Sequence, residues 1–118
     1  MIVEDDASLR ALYEKTLKLK GYAISGMARD GIEAVEIYKS LPKKPDIVLM
    51  DYRMPQKNGL QATKEILEVN PNAIIVFASA DNDAKSEALS LGVKGFLNKP
   101  FTIRDLYDTL EMLVEEYF

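Results

Sequence analysis

The sequence predicts an α/β fold, a doubly wound three-layer sandwich with one five-stranded parallel sheet between two layers of helices. Three observations predict it. Two short apolar runs, Ile47–Met50 and Ala73–Ala78, are unbroken by polar residues and bounded by turn formers, the mark of strands buried on both faces of a parallel sheet. Segments of helical period alternate with such runs along the whole chain. Polar residues then stand where four of the five predicted strands end, at Glu4-Asp5-Asp6, Asp51, Ser79 and Lys99.

The elements follow in order. Met1-Ile2-Val3 is a short first strand, and its stubbiness leads us to expect that the natural chain begins a few residues earlier. Leu9, Leu12, Tyr13, Thr16 and Leu17 form a helical stripe over residues 8–20, closed by Gly21. Tyr22 to Ala28 mixes Ala23, Ile24 and Met27 with Ser25 and Gly26, as in a less buried strand. Asp30 and Glu33 have capping-box spacing and open a second helix that stops at Leu41-Pro42. After the Asp51 strand, Asn58-Gly59 opens a third helix that ends before Asn70-Pro71. The Ala73–Ala78 strand ends at Ser79, and a short polar helix over Asp81–Leu91 is closed by Gly92. Val93–Asn98 alternates, as an edge strand does, and Thr102 caps a last helix with Ile103, Leu106, Leu110, Leu113, Val114 and Tyr117 on its apolar face. The wholly apolar third and fourth strands are central and the interrupted second and fifth peripheral. The strand order is therefore 2-1-3-4-5, in one domain over residues 1–118 with five helices.

Composition narrows the function. The net charge of −4 argues against a nucleic-acid surface. The absence of cysteine excludes disulfides and thiolate metal sites and suits a reducing compartment. Histidine is absent too, which removes the commonest general base and the usual zinc ligand. No apolar stretch approaches the ~20 residues of a membrane span, and Glu4-Asp5-Asp6 stands where a secretory signal would be basic. A cytoplasmic location is expected.

In an open parallel sheet, ligands bind outside the carboxyl ends of the strands. The topology brings the acids after the first strand, Asp51, Ser79 and Lys99 to that one edge. Carboxylates crowded together repel unless a cation intervenes, and a hard divalent ion such as Mg²⁺ takes oxygen ligands of this kind. Lys99 adds a compact cation suited to phosphate, and Ser79 a hydroxyl donor beside the backbone N–H of Ala80. Aspartate is a covalent phosphoryl acceptor in other proteins, and phosphoryl transfer depends on positioning and charge neutralisation more than on acid–base groups. Such a site can operate without histidine.

Taken as an ordered set, Ile2-Val-Glu-Asp-Asp6, Asp46-Ile-Val-Leu-Met-Asp-Tyr-Arg-Met-Pro55 with Gly59, Ala78-Ser-Ala80 and Gly95-Phe-Leu-Asn-Lys-Pro100 resemble the receiver domains of two-component response regulators. The resemblance spans nearly the whole chain and implies a flavodoxin-like (CheY-like) fold. It implies a phosphoacceptor signalling domain that assists its own phosphorylation and slow autodephosphorylation, rather than an enzyme with an external substrate. Carried onto this sequence, Asp51 accepts a phosphoryl group from a kinase phosphohistidine. Asp5, Asp51 and the backbone carbonyl of Arg53 hold Mg²⁺, with Glu4 assisting through water. Ser79 hydrogen-bonds the phosphoryl oxygens and Lys99 pairs with them. Asp6 is either a further acid of this site or the first helix's cap. Ser79 and Phe96 are the switch pair, acting on the surface of the fourth helix, fifth strand and fifth helix. The Lys99-Pro100 bond is expected to be cis.

The implied partners are a sensor histidine kinase or histidine phosphotransfer protein and a downstream protein target, with a phosphorylation-dependent homodimer as a further expectation. Ser79 stands where threonine is commoner, which keeps the hydroxyl but loosens its rotamer. Arg53 and Asp81 are expected to pair over the site and slow attack by water. Two other functions fit less well. An aspartate-nucleophile phosphatase needs a second acid two residues beyond the nucleophile, where Arg53 stands. A flavodoxin-like cofactor binder needs a phosphate loop after the first strand, where Glu4-Asp5-Asp6 would repel phosphate.

Overall fold

The computed structural model describes residues 1–118. Ten elements alternate along the chain: β1 (Ile2–Val3), α1 (Ala7–Leu19), β2 (Met27–Ala28), α2 (Gly31–Ser40), β3 (Val48–Asp51), α3 (Gly59–Val69), β4 (Ile75–Ser79), α4 (Asn82–Leu91), β5 (Gly95–Asn98) and α5 (Ile103–Tyr117). All strand pairs are parallel, in the order β2-β1-β3-β4-β5. Every residue of β3 and β4 is buried, whereas β5 alternates, as the hydropathy pattern requires of central and edge strands.

The sheet divides the core in two. On one face Val3, Val48, Met50, Ile75 and Phe77 meet α2, α3 and α4 through Tyr38, Ile66 and Ala88. On the other, Ile2, Leu49, Val76 and Leu97 meet α1 and α5 through Leu17, Leu106, Leu110 and Leu113. Successive strand residues point to opposite faces, so each strand feeds both cores, which is why unbroken apolar runs occur.

Two expectations need correction. The second strand is confined to Met27–Ala28 instead of spanning Tyr22–Ala28, because only Ile2 and Val3 of β1 offer it partners. Asp30 and Glu33 do not close a reciprocal capping box. The Asp30 side chain accepts from Glu33 N–H, but Glu33 reaches one residue further back, to the N–H of Arg29. The reciprocal box forms at Asn58 and Gln61 of α3 and at Thr102 and Asp105 of α5. The Lys99-Pro100 peptide is cis, as expected.

The loop after β3 is held by close backbone contacts at two glycines. Gly59 N–H donates to Tyr52 C=O at 2.8 Å and Gly31 N–H to Lys57 C=O at 3.0 Å. A Cβ on Gly59 would lie 2.2 Å from the carbonyl oxygen of Asp51, and one on Gly31 would lie 2.0 Å from that of Lys57. Neither obstacle can rotate away, since both are backbone. Gly21 differs, having a φ of +94° but open space where a Cβ would go. Gly59→Ala should therefore cost about 3 kcal/mol through overpacking, against about 1 kcal/mol for Gly21→Ala through left-handed strain alone. Urea unfolding of the two variants tests the ranking, which an equal or smaller loss for Gly59→Ala would overturn.

Candidate functional site

Asp51 ends β3, Ser79 ends β4, Glu4 follows β1 and Lys99 follows β5. Parallel register places these ends on one edge of the sheet, where they line a cleft of about 300 Å³ together with Asp5, Asp6 and Arg53. Asp51 and Ser79 are drawn into the sheet as the last residues of their strands and are almost fully buried, at 5% and 4% exposure. Glu4 is more buried still, at 2%. Asp5 faces solvent.

One ammonium serves two buried carboxylates. Lys99 Nζ lies 2.6 Å from Asp51 Oδ1 and 3.5 Å from Glu4 Oε1. Burial works to lower the Lys99 pKa, but the hydrogen bond and charge of Asp51, with Glu4 behind them, outweigh it and raise the net value, so the lysine stays protonated. Negative charge remains in excess. Burial lifts the Asp51 pKa above its ordinary value against the opposing pull of Lys99, and the nearby Asp5 adds to the rise. Glu4 is pushed from 4.5 up to about 7, first by burial and then by the Asp51 charge, despite the hydrogen bond it accepts from Asp6 N–H.

Each of Glu4, Asp5 and Asp51 offers a carboxylate oxygen, and these oxygens lie within 4.8 Å of one another. The set contains only hard oxygen donors and exceeds the charge of its one lysine, so it fits a hard divalent cation. Arg53 lines the same cleft, and its backbone carbonyl accepts no intramolecular hydrogen bond. Asp6 does not join them. Its Oδ1 accepts from Ser8 N–H at 2.9 Å and Leu9 N–H at 3.0 Å, making it the cap of α1.

Ser79 Oγ accepts from Asp81 N–H at 2.9 Å, while Asp81 Oδ1 caps α4 by accepting from Asp83 and Ala84 N–H. The Asp81 carboxylate also lies 3.8 Å from the Arg53 guanidinium, although the Arg53 side chain is 83% exposed. Arg10 was not among the residues singled out from sequence. Its Nη1 donates to the Glu4 carbonyl at 2.9 Å and more weakly to that of Asp5 at 3.5 Å, tying α1 to the acidic turn. Nothing in its local sequence marks it, since an arginine in the first turns of a helix is ordinary. Phe96 is half-buried and stacks on Phe77 with ring centroids 6.1 Å apart.

A doubly wound parallel sheet with buried carboxylates and a lysine gathered at its switch point defines the class of protein. Residues 1–111 match the family model described as the response regulator receiver domain, so the chain belongs to the receiver-domain family of two-component signalling. It is 45% identical over 103 residues to the chemotaxis protein CheY of Thermotoga maritima, covering 86% of this chain and 84% of that protein. Among solved structures, it is similar to a CheX–CheY complex from Borrelia burgdorferi carrying BeF₃ and Mg²⁺ (TM-score 0.90, 28% identity, 96% of this chain and 86% of that one). It is also similar to the receiver domain of a sensor histidine kinase from Pseudomonas aeruginosa that has a magnesium ion coordinated in its active-site cleft (TM-score 0.85, 28% identity, 97% and 94% covered).

The raised pKa of Glu4 has a consequence for stability. Its value is about 7 in the folded chain against 4.5 ordinarily, so the folded protein binds this proton more tightly than the unfolded one. The folded state is therefore penalised as pH rises from 4.5 towards 7, fully so above 7, and not at all below 4.5. In EDTA, Glu4→Gln should be more stable than the parent by about 2 kcal/mol at pH 8, with the advantage shrinking as pH falls towards 4.5. Urea midpoints across that range check this, and an advantage constant with pH would refute it.

Proposed function

We propose that this receiver domain takes up a phosphoryl group on Asp51 from the phosphohistidine of a sensor histidine kinase or histidine phosphotransfer protein. The observation that carries the reading is the 2.6 Å contact between Lys99 and Asp51 inside a cleft with excess carboxylate. An Asp51 carboxylate oxygen attacks phosphorus in line, an O–P bond forms, and the P–N bond to the imidazole breaks with the electron pair leaving on nitrogen. Asp51 is deprotonated for this when its negative charge is balanced by Lys99.

Asp5, Asp51 and the Arg53 carbonyl would hold Mg²⁺, with Glu4 assisting through water. The Mg²⁺ and the phosphoryl mimic named for the Borrelia relative support this assignment. When bound, Mg²⁺ supplies neutralisation of the charge on the transferring phosphoryl oxygens. The chain's own residues do the rest. Lys99 moves from Asp51 Oδ1 to a phosphoryl oxygen as charge leaves the carboxylate. Ser79 contributes its hydroxyl hydrogen, which no acceptor takes in the present structure, while its oxygen already accepts from Asp81 N–H. Drawing Ser79 towards the phosphoryl group strains that bond and so reaches the start of α4. The α4–β5–α5 surface, with Phe96 upon it, is then the face that changes partners, whether a downstream target or a second copy of the phosphorylated chain. No helix is long and apolar enough to cross a membrane, and the reading places the domain in the cytoplasm beside its kinase.

Incubation with acetyl phosphate and Mg²⁺ should add one phosphoryl group by intact mass, and Asp51→Asn or omission of Mg²⁺ should abolish the gain. Failure of the parent protein to gain mass and also to bind beryllium fluoride with Mg²⁺ would overturn the reading. Arg53 and Asp81 are expected to slow attack by water on the phosphorylated site. Their pair is long and one partner is exposed, so it contributes under about 1 kcal/mol. Arg53→Gln should accordingly shorten the phosphoryl lifetime, but by no more than about fivefold. An unchanged lifetime would remove Arg53 from the shielding role.

A further inference from the structure

Aromatic rings line up across one face of the sheet. In register, Met50 of β3 pairs with Phe77 of β4, and Phe77 pairs with Phe96 of β5. The Tyr52 and Phe77 rings are 5.9 Å apart, and the Phe77 and Phe96 rings 6.1 Å. Phe77 is fully buried, so the middle of this row cannot move without opening the core. Phe96, at the half-buried end, is the ring with freedom to move. Above it lies the ammonium of Lys85 from α4, 5.1 Å from the ring centroid.

Lys85 is half-buried and makes no ion pair with any carboxylate, so the Phe96 ring is the group its charge faces. It also belongs to the helix whose cap residue is hydrogen-bonded to Ser79. Lys85 N–H donates to the Asp81 carbonyl, and Asp81 N–H donates to Ser79 Oγ. The Lys85–Phe96 contact therefore coexists with a Ser79 oxygen turned to α4 and a Lys99 bonded directly to Asp51. A phosphoryl group on Asp51 would disturb that arrangement, since Lys99 Nζ lies on the Asp51 carboxylate itself.

We propose that Lys85 is a positioning residue whose ammonium holds Phe96 in this resting arrangement and so sets the switch against the phosphorylated one. The proposal rests on the reading of Asp51 as phosphoacceptor. A contact made in one of two states opposes any ligand that favours the other, by the free energy of that contact. For a partly exposed cation over a phenylalanine, this amounts to a factor of about two to five in affinity.

The sign of the effect separates this role from simple electrostatics. Removing a positive charge from a protein should weaken binding of an anionic phosphoryl mimic. Removing a latch on the resting state should strengthen it. Beryllium fluoride with Mg²⁺ is the probe, titrated by calorimetry against the whole chain. Lys85→Met should bind it about two to five times more tightly than the parent, and Lys85→Arg, which retains a cation for the ring, should stay close to the parent. In a Phe96→Leu background, the difference between Lys and Met at residue 85 should vanish, as a double-mutant cycle on a direct contact requires. NMR of ring-labelled phenylalanine should also show the Phe96 resonances of ligand-free Lys85→Met moved towards their ligand-bound positions. Unchanged or weaker binding by Lys85→Met would overturn the proposal, as would an effect that persists in the Phe96→Leu background. Failure of the parent itself to bind the probe would instead overturn the phosphoacceptor reading beneath it.

Discussion

The site turns on the ammonium of Lys99, which lies between two carboxylates that the fold has removed from water. Glu4 and Asp51 are each 5% exposed or less, and without a cation between them their charges would be costly at the edge of a packed sheet. One lysine cannot neutralise both, and Asp5 adds a third carboxylate nearby. The cleft is therefore left short of positive charge in the resting protein. That deficit fits the cleft to a divalent cation, and in the proposed phosphoryl transfer it would let Lys99 follow the charge from carboxylate to phosphoryl group. Destabilisation of the carboxylates and affinity for a cation are two aspects of the same arrangement.

The backbone around the cleft keeps that arrangement from relaxing. Gly59 and Gly31 bring α3 and α2 against the loop that follows Asp51, at distances only a missing side chain permits. Arg10 draws the acidic turn after β1 towards α1 by binding its carbonyls, not its carboxylates, so the turn is held without its charge being consumed. Asp6 and Asp81 spend their carboxylates on helix caps. Of the acids near the cleft, those left uncapped are the ones that converge. The phosphatase alternative is disfavoured by residue type, because Arg53 stands two residues beyond Asp51 where that chemistry needs an acid.

Ser79 connects the cleft to α4. Its oxygen is committed to the N–H of Asp81, which begins α4, and α4 carries Lys85 over Phe96. A shift of one hydroxyl thus has a short path to a half-buried ring at the edge of the sheet. Phe77 gives that path a fixed floor, since it is fully buried between Tyr52 and Phe96.

Much of this was legible in the sequence because strand burial and helix periodicity are written along the chain. Unbroken apolar runs at Ile47–Met50 and Ala73–Ala78 marked the central strands, and from them followed the order of the sheet and the edge where Asp51, Ser79 and Lys99 meet. Residue type pointed to the kind of site as well, since carboxylates beside a lysine suit a hard cation and a phosphate group. What only the tertiary structure decided are relations between elements: that Asp6 caps a helix while Glu4 turns inward, that β2 shrinks to the two residues its partner can pair, and that Lys85 lies on Phe96. Periodicity tells which face a residue occupies but carries no distance between faces. Those distances are set by strand register and helix packing, which depend on every neighbour at once.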